Sequence, residues 1–163
     1  MLSEMLQTLD DPRMLHAAAV HWPIVLTPFA LVGLMWRLFG GRKRIGAVLV
    51  SVAALLLAAT GAGVAAGAGE ESIAGIRTVT ETFSTAESEA LERHESLGEG
   101  AWMWPLGCAI VAGLTLAPKP KWLGIVATVV AILAVGFVSA RFAWTGHTGG
   151  VLVYEHGLGT VDR

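Results

Sequence analysis

The chain has 163 residues, 54% of them hydrophobic and only 15% charged, with a formal net charge of −2. A soluble domain carries about a quarter charged residues, so an ordinary soluble fold is a poor match, and the balanced charge carries no basic footprint for nucleic acid. The single cysteine, Cys108, excludes an internal disulfide.

In chain order, residues 1–14 form an acidic leader. Leu2, Met5, Leu6 and Leu9 could share one face of a short helix that Asp11-Pro12 would end. Four charge-poor stretches follow, at 15–39, 45–68, 97–117 and 122–145. Each is close to the ~20 residues that a bilayer core requires. They are apolar all round, which makes lipid their solvent. The expected fold is an all-α membrane protein with four transmembrane helices in an up-down bundle. The first stretch is no cleavable signal peptide, because its basic cluster Arg42–Lys43–Arg44 lies after the apolar run.

The first span contains Pro23 and Pro28, and Pro23 should kink it near His21. The second is rich in small residues at its far end: Gly61, Gly63, Gly67 and Gly69. These fit close helix packing, or a flat wall against which a planar ligand could lie. In the connection 70–96, Phe83, Ala86, Ala90, His94 and Leu97 fall on one helical face, with Glu81, Glu89, Glu92 and Glu99 opposite. This predicts an outer amphipathic helix from about Thr80 that runs directly into the third span and turns His94 inward. After the fourth span, Gly146 should cap the helix and Gly149-Gly150 should force a turn. Val151–Tyr154 reads as briefly strand-like, and Gly157 and Gly159 keep the rest tight. The tail 146–163 is expected to fold back over the bundle.

Orientation follows from charge. The two short loops carry Arg37, Arg42, Lys43, Arg44, Lys119 and Lys121 and no carboxylate; all 13 Asp and Glu lie on the other side. Short basic loops stay in the cytoplasm, so both termini and the 70–96 connection are expected outside. Trp22, Trp102, Trp104 and Trp144 mark the outer interface, and Trp36 and Trp122 the inner one.

On this topology all five histidines, His16, His21, His94, His147 and His156, lie at the outer face. Imidazole is the commonest metal ligand and the main axial ligand of haem. A b-type haem needs two facing axial groups, an apolar cleft and a cation near the propionates. One imidazole from the first helix and one from His94 or the tail could form the pair, with Arg141 as the cation. No Cys-x-x-Cys-His sequence is present, so covalent c-type attachment is excluded. Met103 could also ligate, and Glu92, Glu95, Glu99 and Glu155 could join imidazoles around zinc, copper or iron. No His-x-x-x-His or His-Glu-x-x-His spacing sharpens that alternative. His16 and His21 differ by about 140° around a regular helix and cannot grip one iron from it.

His16-Ala-Ala-Ala-Val-His21-Trp-Pro-Ile, the four-span profile and Gly149-Gly-Val-Leu-Val-Tyr154-Glu-His156-Gly-Leu-Gly159 together resemble a bacterial membrane family designated domain of unknown function 2231. The resemblance covers most of the chain. The family is similar in layout to di-haem cytochromes b, and some members look fused to c-type cytochrome domains. By position the resemblance extends to His16, His21, His94 and His156; His147 is less regular. One departure matters: no histidine lies at the inner face, so a two-haem wire across the membrane is not implied.

The expected function is a membrane-anchored b-type cytochrome, or a cytochrome subunit of a larger complex, in a bacterial inner membrane with both termini periplasmic. It would pass electrons between a quinone pool and a periplasmic carrier such as a c-type cytochrome. His21 and His94 lead as the axial pair of one haem b, with His156 or His147 serving a second. The alternative is a non-catalytic membrane subunit of a respiratory or photosynthetic assembly, holding a structural metal ion, a chlorophyll-type pigment or no cofactor.

Overall fold

The computed structural model describes residues 10–40, 44–79, 83–118 and 120–158. The described residues are helical or turn, with no strand. We label the helices α1 (Pro12–Ala19), α2 (His21–Gly40), α3 (Ile45–Val79), α4 (Thr85–Gly98), α5 (Met103–Leu114) and α6 (Lys121–Tyr154). Three segments are long and apolar enough to cross a membrane: Pro12–Gly40, Ile45–Arg77 and Lys121–Tyr154. Their outer surfaces carry exposed Val25, Phe29, Val32, Leu49, Leu56, Ile125, Val129, Leu133 and Phe137. A soluble protein would not leave so much large apolar surface in water.

The chain starts α1 where the leader was expected to end. Asp11 is its N-cap, accepting from the Arg13 amide, and Pro12 sits at the first helical position, where its missing N–H costs nothing. The helix breaks at Val20, ahead of Pro23, as the proline predicts. The expected leader helix and the expected Thr80 start both lie outside the described residues.

α2, α3, α5 and α6 form a ring in which each helix touches its two neighbours; α1 leans on α3, and α4 on α6. The core holds Ala30, Leu34, Ala54, Leu55, Ala109, Ala112, Ala131 and Val135. Without a hydrophobic drive between helices in lipid, small residues and interhelical hydrogen bonds set the approach. Gly33 and Ser51 do this between α2 and α3. The Ser51 hydroxyl donates to Ala30 O at 2.9 Å on the facing helix and also bonds Ala47 O. A methyl group on Gly33 would overlap that hydroxyl and stand 3.1 Å from Ala47 O. Gly33→Ala is therefore expected to destabilise the protein by about 1–3 kcal/mol, read as a lower unfolding midpoint in detergent.

Two sequence expectations are corrected. The outer helix does not run on into the third span. α4 stops at Gly98, Gly100 adopts φ +61°, and the chain restarts at Met103 with Pro105 in the new first turn. Gly100 supplies the left-handed residue that ends a helix, and Pro105 cannot continue α4's hydrogen bonds but fits a helix start. The fourth long helix does not end near Trp144. It passes through Gly146, Gly149 and Gly150 to Tyr154, so Gly146 is no cap, Gly149-Gly150 is no turn and Val151–Tyr154 is no strand. The stop comes at Gly157, φ +64°, whose amide returns to Val153 O while Leu158 N returns to Leu152 O. Leu158 then packs with Leu152 and Leu91 in a small second core beside Ile73 and Phe83. That cluster joins α4 to the projecting ends of α3 and α6. The Arg77–Glu95 ion pair, at 3.1 Å, ties the same region together at its surface.

Candidate functional site

The break at Val20 separates the two N-terminal histidines and sets their directions. His16 lies on α1, which rests against the glycine-rich stretch of α3. Its Nδ1 is 2.7 Å from Ala65 O. A carbonyl can only accept, so Nδ1 carries the proton and Nε2 is left with the lone pair. The ring fits because position 69 is glycine: a Cβ there would stand 2.9 Å from His16 Nδ1.

His94 is held in the same manner by a different helix pair. The Ser84 capping box with Glu87 starts α4, whose apolar face then turns Leu91 and His94 toward the bundle. His94 Nδ1 lies 3.0 Å from Thr148 Oγ1, and that hydroxyl donates its own proton to Thr145 O at 2.9 Å. Thr148 must therefore accept from Nδ1–H, which again leaves Nε2 unprotonated in the neutral ring. A Cβ on Gly149 would stand 3.0 Å from His94 Cε1, so this ring also occupies a glycine notch. The His16 and His94 ring centres are 6.1 Å apart, with an interplanar angle of 75°.

Both rings line one cavity of about 1430 Å³. Its lining combines apolar Val20, Ile24, Leu106 and Phe142 with Arg13, His21, Glu70, Glu92, Glu95 and Glu99. This exceeds the ~300–1,000 Å³ of ordinary small-molecule clefts. Gly63 and Gly67 form part of the wall, and an added Cβ at Gly67 would meet nothing within 4 Å. Gly61, by contrast, is filled by Trp22. The glycine row is thus packing surface at Gly61 and Gly69 and open wall at Gly67.

Compared with family models, with curated protein sequences and with solved structures, the chain matches none.

The predicted site residues separate cleanly. His94 meets His16, not His21. His21 is exposed, and its Nδ1 turns back to Ala17 O at 2.7 Å on α1, although it also lines the cavity. The bend at Val20 that Pro23 enforces leaves it there. His147 is exposed and stacks near Trp144 at 5.5 Å. Neither His147 nor His156 lines the cavity: α6 stays helical past His147, and His156 lies in the turn just beyond its end. Arg141 also points elsewhere: its Nη2 donates to Leu97 O at 3.3 Å and its guanidinium lies 5.1 Å from the Trp104 ring centre. Among the described residues no three His, Cys, Asp or Glu side chains converge as a metal site, so Glu92, Glu95, Glu99 and Glu155 do not complete one. Met103 is exposed and Cys108 buried.

Sequence reasoning missed Thr148 and Ala65, the two acceptors that orient the imidazoles. Both sit in helices whose local pattern is merely apolar, and only the docking of α1 and α4 brings them to the rings.

Burial holds the His94 imidazole below its usual pKa, the nearby His16 adds to this, and a bond to the Thr145 carbonyl opposes it. The unfolded chain then takes up a proton near pH 6.5 that the folded chain refuses until lower pH. Stability from this group is complete above that value. It is lost as pH falls through the histidine range toward the depressed folded pKa. Unfolding midpoints in detergent should decline on acidification from pH 7, and His94→Gln should flatten that decline.

Proposed function

We propose that this protein is a membrane-anchored b-type cytochrome whose haem b is held between His16 and His94, with electron transfer at the membrane surface as its role. The observation that carries the reading is the paired imidazoles: two rings from separate helices, each with Nδ1 already donating and Nε2 unprotonated, 6.1 Å apart beside a large apolar cavity. His16 and His94 are the residues that would hold the haem. A bare tetrahedral metal needs three or four protein ligands. A haem brings four nitrogens of its own and asks the protein for two, which is the number available. Bound there, it would supply one-electron chemistry.

The chain's own contribution is positioning. Ala65 O and Thr148 Oγ1 hold each Nδ1–H and so fix the tautomers and ring orientations, the usual outer-shell role. The open wall at Gly67 leaves room for a flat ligand. The sequence resemblance at His16–Ile24 and Gly149–Gly159 points the same way.

Four crossings with both termini at the outer side of a bacterial inner membrane complete the proposal. The basic ends of α2 and α6, with Trp36 and Trp122, support that orientation. α5 has 12 residues, about 18 Å of helix. Bonds from Leu116 to Gly113 and Ala117 to Leu114 add a tight turn. The crossing is then about 24 Å, a mismatch a bilayer meets by thinning locally. A quinol donor and a soluble periplasmic acceptor such as a c-type cytochrome are the partners this reading implies.

The absorption spectrum of the purified protein, oxidised against dithionite-reduced, tests it. A Soret shift and a sharp α-band are expected; their absence after haem reconstitution ends the reading. A second reading rests on the glycine notches, which show each imidazole docking a peripheral helix onto the bundle. On it, the protein is a non-catalytic subunit and the pair is a structural clasp. A chlorophyll-type pigment on one imidazole would appear on solvent extraction instead.

A further inference from the structure

Arg141 is a cation in search of a counter-charge. It lies twenty residues along α6 from Lys121, a rise of about 30 Å, which equals the thickness of a bilayer core. It therefore stands at headgroup depth whichever way the helix points. Among the described residues no carboxylate pairs with it; the ion pairs there are Arg13–Asp11 and Arg77–Glu95. The Leu97 carbonyl takes Nη2 and the Trp104 ring lies against the guanidinium. A guanidinium has five N–H donors, so most remain available. An unpaired charge at the edge of a hydrocarbon layer calls for an anion there.

Directly below it runs a groove. Phe137 and Val138 lie one turn down α6 from Arg141 on the same face. They line a lateral cleft of about 210 Å³ between α5 and α6, with Met103, Trp104, Gly107 and Cys108 opposite. The cleft is apolar, and Trp104 and Phe137 meet edge to face at 6.0 Å at its outer end. Gly107 leaves it open, since an added Cβ there would meet nothing within 4 Å. Cation above and apolar channel below, joined by the Trp104 ring, have the polarity and order of one amphiphile.

We propose that this groove binds a single anionic phospholipid, its phosphate on Arg141 and one acyl chain laid along Met103, Gly107 and Phe137. The site is separate from the histidine cavity, whose lining does not include Arg141, and it stands whether or not haem binds.

The test uses the full chain in detergent, with native mass spectrometry for retained lipid and thermal unfolding for stabilisation. Phosphatidylglycerol should be kept as one adduct and raise the midpoint. Phosphatidylcholine should be retained about fivefold less, the worth of one surface cation toward anionic lipid. Arg141→Gln should remove that preference. Gly107→Leu should expel both lipids while leaving the lipid-free midpoint unchanged, which keeps the test open if Arg141→Gln fails to fold. Equal retention of the two lipids, the same rise from inorganic phosphate alone, or unaltered lipid binding by Gly107→Leu would each overturn the proposal.

Discussion

On the proposed haem reading, replacing His16 or His94 by alanine should weaken haem binding at least 10–100-fold, the loss seen when even an outer-shell partner of a ligand is removed. Each single variant should shift the remaining spectrum toward one axial ligand, and the double variant should show no Soret band. His147→Ala and His156→Ala should bind as the unmodified protein does, because neither residue lines the cavity. His21→Ala separates the two pairings that the sequence allows. Its Nδ1 is engaged with its own helix and its ring is exposed, so its removal should leave both absorption bands in place. A spectrum lost with His21 and kept without His16 would refute the assigned pair. The acceptors give a graded version of the same experiment. Thr148→Val removes the hydroxyl that orients His94 with little change of volume, and should lower affinity without changing the ligand count.

The second large effect is expected at glycine positions, where geometry and fold stability can be pulled apart. Gly149→Leu places a Cβ 3.0 Å from His94 Cε1, and the branched remainder of the side chain leaves the ring no room on Thr148. Helix propensity works in the opposite direction, since leucine is favoured over glycine by up to about 1 kcal/mol in a helix interior. The variant should thus keep α6 while losing the His94 seat, with haem affinity falling as far as in His94→Ala. Gly67→Leu probes the wall instead. Nothing lies within 4 Å of its added Cβ, so the fold has no reason to object, but the side chain enters the cavity where a planar ligand would lie. Full binding by Gly67→Leu would remove the wall from the site while leaving the imidazole pair intact. The two substitutions fail in different ways, and a titration of haem followed by thermal unfolding distinguishes them.

Several elements were legible because a bilayer imposes simple rules. The three long apolar helices follow from charge-free length, and the bend before His21 follows from Pro23. The inward face of α4 follows from the spacing of Ala90 and His94. The Ser84-x-x-Glu87 capping box that marks where that helix begins was missed in favour of a start near Thr80. What misled was glycine. In water, Gly146, Gly149 and Gly150 in succession read as a stop, because glycine costs a solvated helix about 1 kcal/mol each. Here they continue as helix to Tyr154, since Ile24 and His94 pack where side chains would otherwise stand. Gly100 and Gly157, equally plain in sequence, are the two among the described residues that take positive φ and end helices. Local pattern does not separate a glycine that yields space from one that turns the chain.

The amino-acid sequence by itself determined the solvent and the class: long runs without charge can only be helices in lipid, because each backbone N–H and C=O must find its partner within the same segment. It also placed the imidazole-bearing segments apart from the basic loops. Only the tertiary structure decided which imidazoles meet. That choice depends on where α1 lands on α3 and where α4 lands on α6, contacts between residues as far apart as His16 and Ala65 or His94 and Thr148. Such pairings are set by the shape of glycine notches on partner helices, a property of two surfaces in register that no single stretch of chain contains.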